Sequence, residues 1–342
     1  MPISPVHDFD PQRLAALRAA VETGTFEAAA RELRVTPSAI SQRIKSLESQ
    51  TGRVLLQRSK PVAPTESGEV LLRLARQVDA LGREASSVLG RVGGASGVGA
   101  DGGDEEPVLE RLAVAVNADS LATWLLPALA SLAGEIAFDL RRADETQTTE
   151  LLRRGTVTAA ITADPVPVQG CSSVLLGAMR YIPMASPEFA DRWFGDRDRD
   201  RVRDRDRVRD RDRDGDGDGD WDGRGRAGVG VRTLAASLGR APVVVFDRAD
   251  TLQDRYLRGL GVDPASPPCH FVPSSADFVR AIRLGFGWGL VPELQLGDDA
   301  SLVEIDPGAS IDVPLFWQQW QLHTAALQRT ALVVAEVAGK HL

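Results

Sequence analysis

Apolar positions early in the chain recur with a helical period. Ala29, Ala30 and Leu33 fall on one helical face, and Ile40, Ile44 and Leu47 repeat at spacings of four and three on the next. This predicts two short helices broken by a tight turn. Thr36 caps the second helix, and Pro37 takes its first position, where no backbone donor is lost. The outer face keeps Ser38, Ser41, Gln42 and Lys45, side chains that hydrogen-bond to base edges and phosphates. The pattern reads as a DNA-binding helix-turn-helix. A helical hairpin of another fold, with these groups merely solvated, is the alternative.

Downstream, Gly52-Arg53-Val54-Leu55-Leu56-Gln57-Arg58 and the stretch from Pro61 to Gly68 read as a short strand, a turn and a return. Such a wing carries Arg58 and Lys60 toward the duplex backbone, with Thr65 on its return. Next, Leu71, Leu74, Val78, Leu81, Ala85 and Val88 form an a/d seam. A helix this short is marginal in water, so the seam is expected to pair with a second copy, packing against its own head being the competing arrangement. Pairing also suits DNA reading, because two recognition helices require symmetric half-sites. Residues 90–107, rich in Gly and Ala and ending in acids, read as a hinge.

Beyond the hinge the pattern changes to short apolar runs alternating with helices. Strands are expected at residues 111–117, 136–142, 156–162, 174–185, 242–247, 269–273, 287–292, 302–306 and 313–320. Helices are expected at 121–133, 146–154, 251–260, 275–284 and 324–338. Alternating units imply a mostly parallel sheet flanked by helices, and two lobes account for the length, with 174–185 and 287–292 as crossovers. The run from Gly195 to Gly225 is nearly pure Arg-Asp and Gly-Asp repeat with Trp221 its one aromatic. With so little apolar surface to bury, it is expected to be a disordered, tolerated insertion rather than an RNA-binding tract.

Composition narrows the class. The 342 residues carry a net charge of −8, yet the first ninety hold twelve Lys/Arg against ten Asp/Glu. A mildly basic head on an acidic body fits a DNA reader whose body stays off the duplex. No apolar run approaches the roughly 20 residues of a membrane span, and no secretory signal is visible at the N-terminus. Cytoplasmic placement follows as an expectation. Cys171 and Cys269 read as buried, inert thiols, with a redox pair as the rival. Four scattered histidines suggest neither a metal site nor a nucleophile–base pair, which argues against an enzyme.

Candidate ligand chemistry gathers at strand ends. Asn117-Ala118-Asp119-Ser120 closes a buried-looking strand just before a helix, where free N–H groups attract a carboxylate and Asp119 and Ser120 would face an ammonium. An ordinary helix cap is the alternative. Asp144-Glu145 ends the next strand and Asp247, with Asp250 following, ends a third. Three such groups would make a negative cleft suited to a cation.

The segment from Leu14 through Gly68 resembles the winged helix-turn-helix of LysR-type transcriptional regulators. The body resembles their lysine- and arginine-responsive LysG/ArgP branch. That likeness rests on the run from Asn117 to Pro127, Asp144-Glu145-Thr146, Leu152-Arg153-Arg154-Gly155, the run from Ala241 to Asp247, and the run from Pro268 to Ser275. At Ala143 the branch would carry a further acid, which leaves the choice between lysine and arginine open. The resemblance implies an α+β multidomain chain: a winged helix-turn-helix at 1–67, a dimerisation helix at 68–90, a hinge at 91–107 and a two-lobed α/β effector domain of periplasmic-binding-protein type at 108–342. Lobe I would take about 108–182 and 288–342, and lobe II about 183–287, with the insertion at about 195–228. It further implies a homodimer or homotetramer on a pseudo-palindromic operator, RNA polymerase as a further partner, no cofactor, and lysine or arginine as effector controlling amino-acid export or biosynthesis genes, a lysine exporter foremost. By this resemblance Asp144 and Glu145 hold the ligand's side-chain cation. Asp119 and Ser120 face its α-amino and α-carboxylate end, and Asp247 and Ser274 close from the other lobe. A thiol-switched regulator and a solute-binding protein remain the alternatives.

Overall fold

The computed structural model describes residues 9–57, 59–94, 109–143, 145–195, 234–297, 301–322 and 324–342. The chain divides into two compact units, one of Met1–Asn117, Pro127–Leu175 and Phe316–Glu336, the other of Ala118–Leu126, Leu176–Leu315 and Val337–Leu342. The Arg-Asp insertion lies outside the described residues.

The first unit opens on α1 (Pro11–Thr23), α2 (Phe26–Glu32) and α3 (Pro37–Thr51). Each starts on a side-chain cap. Asp10 accepts from the Gln12 N–H, Thr25 from Ala28 and Thr36 from Ala39. Leu17, Ala19, Ala29, Ile40 and Leu47 close one core with Leu55 and Leu56. The wing is a two-residue ladder, β1 (Leu56–Gln57) against β2 (Ala63–Pro64).

The long helix α4 (Glu66–Gly94) extends four residues into the stretch read as hinge. Its seam divides. Leu71 joins the head core and Leu74 packs against it, so the start of the seam serves its own head rather than a second copy. Farther along, Leu81, Ala85 and Leu89 meet solvent, with Leu81 and Leu89 47% and 70% exposed.

The α/β part of this unit orders its strands β4 (Ile136–Arg142), β3 (Glu110–Val116), β5 (Ala159–Thr162) and β11 (Ile311–Trp320). β3 is parallel to both β4 and β5, but β11 runs antiparallel to β5. In the second unit, β6 (Cys171–Ala185) pairs antiparallel with β9 (Gly289–Pro292) and β10 (Val303–Glu304), while β7 (Val243–Val245) and β8 (Cys269–Phe271) are parallel. The expected mostly parallel sheet is therefore mixed, because β6 and β11 each pass from one unit to the other and pair in the opposite sense. β9, read from sequence as a crossover, lies wholly in the second unit; the chain crosses within β11 instead, between Leu315 and Phe316.

The helix expected at 121–133 is broken into α-helix (Ala118–Ser120), π-helix (Leu121–Leu125), α-helix (Leu126–Leu129) and a 3-10 turn (Ala130–Leu132). Pro127 supplies the reason, since it brings no N–H for the carbonyl four residues back and its ring crowds that position. Helix Pro187–Phe194, capped by Ser186, had no expected counterpart.

Candidate functional site

The outer face of α3 carries the polar side chains that its spacing placed there. Ile40, Ile44 and Leu47 are buried beneath, Ser38, Gln42 and Lys45 are exposed, and Ser41 is half-buried. Thr36 Oγ1 both caps the helix and lies 2.9 Å from the Ser38 hydroxyl. The turn before α3 holds Arg34 at φ 54, a left-handed conformation that an L side chain adopts at a cost. Glu48 on α3 fixes the wing by accepting the Leu55 N–H at 3.0 Å, and Lys60 stands exposed at the wing's turn. Arg58 lies outside the described residues. Thr65 has a different duty from the DNA contact expected of it: its hydroxyl donates to the Val54 carbonyl at 2.7 Å and accepts the Gly68 N–H at 3.1 Å. It caps α4. Gly68 itself cannot be replaced cheaply, since a Cβ there would sit 1.9 Å from the Leu55 carbonyl oxygen.

A second polar cluster forms within the second unit. Asp119, immediately after β3, accepts the Tyr181 hydroxyl at 2.8 Å and the Ser275 hydroxyl at 2.6 Å. Ser275 in turn accepts from the Gln295 side-chain amide. Tyr181 comes from β6, Ser275 opens helix Ser275–Arg283, and Gln295 closes the 3-10 turn Glu293–Gln295. Burial pushes the Asp119 carboxyl above its ordinary range, and the two hydroxyl donors pull it partway back. Asp250 is raised likewise, first by burial and then by the charges of Asp119 and Asp247, against the Leu252 and Phe246 N–H groups that it accepts. No arginine or lysine among the described residues offsets either carboxylate. The arrangement gathers acidic groups in a half-buried place, with no offsetting cation among the described residues.

The other expected ligand residues divide. Ser120 is fully buried beside Asp119. Asp247 folds its own loop, accepting the N–H groups of Ala249 and Asp250 at 2.8 and 3.0 Å, and its charge bears on Asp250, which sequence reading had given no ligand role. Ser274 occupies the cap position of its helix without a side-chain capping bond, and its neighbour Ser275 supplies the hydroxyl to Asp119. Asp144 lies outside the described residues. Glu145 opens helix Glu145–Arg153 in the first unit. Sequence reading missed Tyr181, Ser275 and Gln295, which only the fold brings to Asp119; the doubled serine at 274–275 was the nearest signal.

The thiols carry no such chemistry. Cys171 is buried in a core with Leu152 and Trp320, while Cys269 is exposed, contrary to the expectation that both are buried. β8 presents all its side chains outward, which accounts for the difference. Burial raises the pKa of both thiols, so neither is an activated thiolate. No described helix is long and apolar enough to cross a membrane.

Residues 11–69 match the family model of the bacterial regulatory helix-turn-helix proteins of the lysR family. The chain is 41% identical to the transcriptional regulator ArgP of Pseudomonas fluorescens, over 92% of this chain and 91% of that protein. It is 37% identical to the lysine export transcriptional regulatory protein LysG of Corynebacterium efficiens, over 96% and 98%. Its fold is similar to that of full-length LysG from Corynebacterium glutamicum with bound effector Arg, at a TM-score of 0.70 and 33% identity, covering 97% of this chain and 99% of that one. The matched head, the α/β body and the identity along almost the whole length agree: the chain belongs to the LysR-type transcriptional regulators, in their ArgP/LysG branch, and is a DNA-binding regulator rather than an enzyme.

Proposed function

We propose that this regulator senses a basic amino acid, arginine or lysine, and through it controls transcription of an amino-acid export or biosynthesis gene, foremost a lysine exporter. The observation that carries the reading is the Asp119–Asp250 cluster, two half-buried carboxylates in one unit that no cation among the described residues offsets. A ligand cation there relieves the like-charge repulsion and meets hydrogen-bond acceptors already held in place by Tyr181 and Ser275. The relative solved with bound arginine and the relative named for lysine export support the same ligand class. Asp144 and Glu145, which the family resemblance assigns to the ligand, stay further candidates for binding it.

On the DNA side, Ser38, Ser41 and Gln42 read base edges in the major groove while Thr36, Lys45, Arg58 and Lys60 meet phosphates. Two copies paired through the exposed half of α4, around Leu81 and Leu89, present two such helices to a pseudo-palindromic operator. Homotetramers, contact with RNA polymerase and residence in the cytoplasm complete the reading.

The test is a binding panel. Purified full-length protein titrated calorimetrically should bind arginine or lysine and not citrulline, which keeps the shape of arginine without the charge on its side chain. Equal binding of citrulline removes the charge-based reading.

A further inference from the structure

Helix Glu145–Arg153 has a candidate ligand residue at its first position and an unusually well-fixed last turn. Gly155 follows it at φ 69, and its N–H bonds the Leu152 carbonyl at 3.0 Å. A Cβ on Gly155 would lie 2.6 Å from the Trp320 ring. The Trp320 indole N–H also donates to the Leu152 carbonyl at 3.4 Å. Nine helical residues span about 13 Å at 1.5 Å each, so this helix is a short rigid rod.

At the end of that rod stands α4. Arg76 donates through Nη1 to the Arg154 carbonyl at 2.7 Å and through Nε to Glu22 of α1 at 3.1 Å. One guanidinium thus holds the end of helix Glu145–Arg153 with one edge and the DNA head with the other. Its side chain is 15% exposed, shielded enough to make the contact geometrically demanding. Glu22 is shared with Arg18, which also pairs with Glu32 of α2 at 3.2 Å and with Asp79 of α4 at 3.7 Å. Arg154 reaches back to Glu69 of α4 at 3.6 Å. The contiguous line therefore runs from helix Glu145–Arg153 through Arg154, Arg76, Glu22 and Arg18 to α2 of the helix-turn-helix.

We infer that Arg76 is the positioning residue that couples effector binding to the DNA head. A displacement of helix Glu145–Arg153 moves the Arg154 carbonyl, and Arg76 hands that movement to Glu22 and α1. The inference rests on the proposed function for its ligand, arginine. Arg73 provides an internal control: it also ties α4 to the α/β body, at the Gln169 carbonyl, without a described link to the head.

Spatial continuity alone does not establish coupling, so the test measures it. Affinity and footprint on a DNA fragment upstream of the protein's own gene are recorded with and without arginine. The proteins compared are the full-length wild type, Arg76→Met, Arg73→Met and Glu22→Gln. Arginine binding to each is measured by calorimetry alongside. Met keeps the apolar stem of Arg76, so packing is largely preserved. Expected is an arginine-dependent change in the wild type, roughly fivefold or more in affinity or a shifted footprint. That change is lost in Arg76→Met and Glu22→Gln and kept in Arg73→Met, while all four bind arginine alike. If Arg76→Met fails to fold, Glu22→Gln decides the matter. A wild-type response preserved in the folded Arg76 and Glu22 variants, or equally lost in Arg73→Met, overturns the inference, as does arginine binding by wild type with no effect on DNA. A wild type that binds neither arginine nor lysine instead overturns the proposed function, and one that binds only lysine is put through the same comparison with lysine as the ligand.

Discussion

The recognition face of α3 and the acidic cluster around Asp119 are both polar surfaces, but they are built on opposite terms. On α3, the apolar residues are buried and the polar ones face water, so Ser38, Gln42 and Lys45 lose little hydration in the free protein. Around Asp119, carboxylates are held in part away from water, and burial drives their pKa upward. The first surface is inexpensive to maintain and waits for a polyanion. The second carries an electrostatic cost that, under the proposed function, a bound cation relieves. A protein that links a small cation to a large anion uses a ready surface for one and a poised one for the other.

The comparison is broken most severely at the base of the DNA head. Gly68→Ala forces a methyl into the Leu55 carbonyl, so the head should lose several kcal/mol and operator binding together. Thermal melting and a gel-shift titration check this; a variant that melts like the wild type contradicts so close an approach of α4 to Leu55. Next in size, Asp119→Asn should cost about 2 kcal/mol or more of arginine affinity, some 30-fold, and leave ligand-free DNA binding intact. Gln42→Ala acts on the other surface. It should weaken specific operator binding by about 1–3 kcal/mol while thermal stability stays put, because the side chain is exposed. A drop in melting temperature would instead make Gln42 a structural residue.

The acidic cluster should also announce itself through protons. In the free protein the raised carboxyls of Asp119 and Asp250 keep their protons to higher pH than usual, whereas a bound guanidinium favours their ionised forms. Arginine affinity should therefore fall as pH is lowered through those raised pKa values and level off above them. Without ligand the same shift makes folding stability decrease as pH rises through that window, from the ordinary carboxylate pKa to the raised one. Calorimetry in two buffers of different ionisation heat, at mildly acidic pH, should detect proton release on binding. Smallest of all, Lys45→Ala should lower the salt slope of DNA binding by about one, with little change in sequence preference.

What could be read from the sequence follows the same division. A recognition helix is local: Ile40, Ile44 and Leu47 fix which side is buried, and everything opposite faces out. Strand β4 was legible too, its observed bounds Ile136–Arg142 matching those read from the sequence. The acidic cluster is assembled from segments as far apart as Asp119, Tyr181, Asp250 and Gln295, and no periodicity connects them. Reading Ser274 instead of Ser275 shows how fine the margin is, because adjacent residues at a helix start face different ways. The crossover was misplaced at β9 because a short apolar run looks alike whether it stays in one unit or passes between two. The seam of α4 was recognised, but periodicity could not say that its first turns belong to the head.

The central claim, that half-buried carboxylates around Asp119 capture a basic amino acid, is tested most directly by one calorimetric comparison at neutral pH. Full-length wild type and Asp119→Asn, both verified as folded by their melting curves, are titrated with arginine. Saturable binding by the wild type and its near loss in the variant is the predicted result; indistinguishable isotherms from the two proteins would contradict the account.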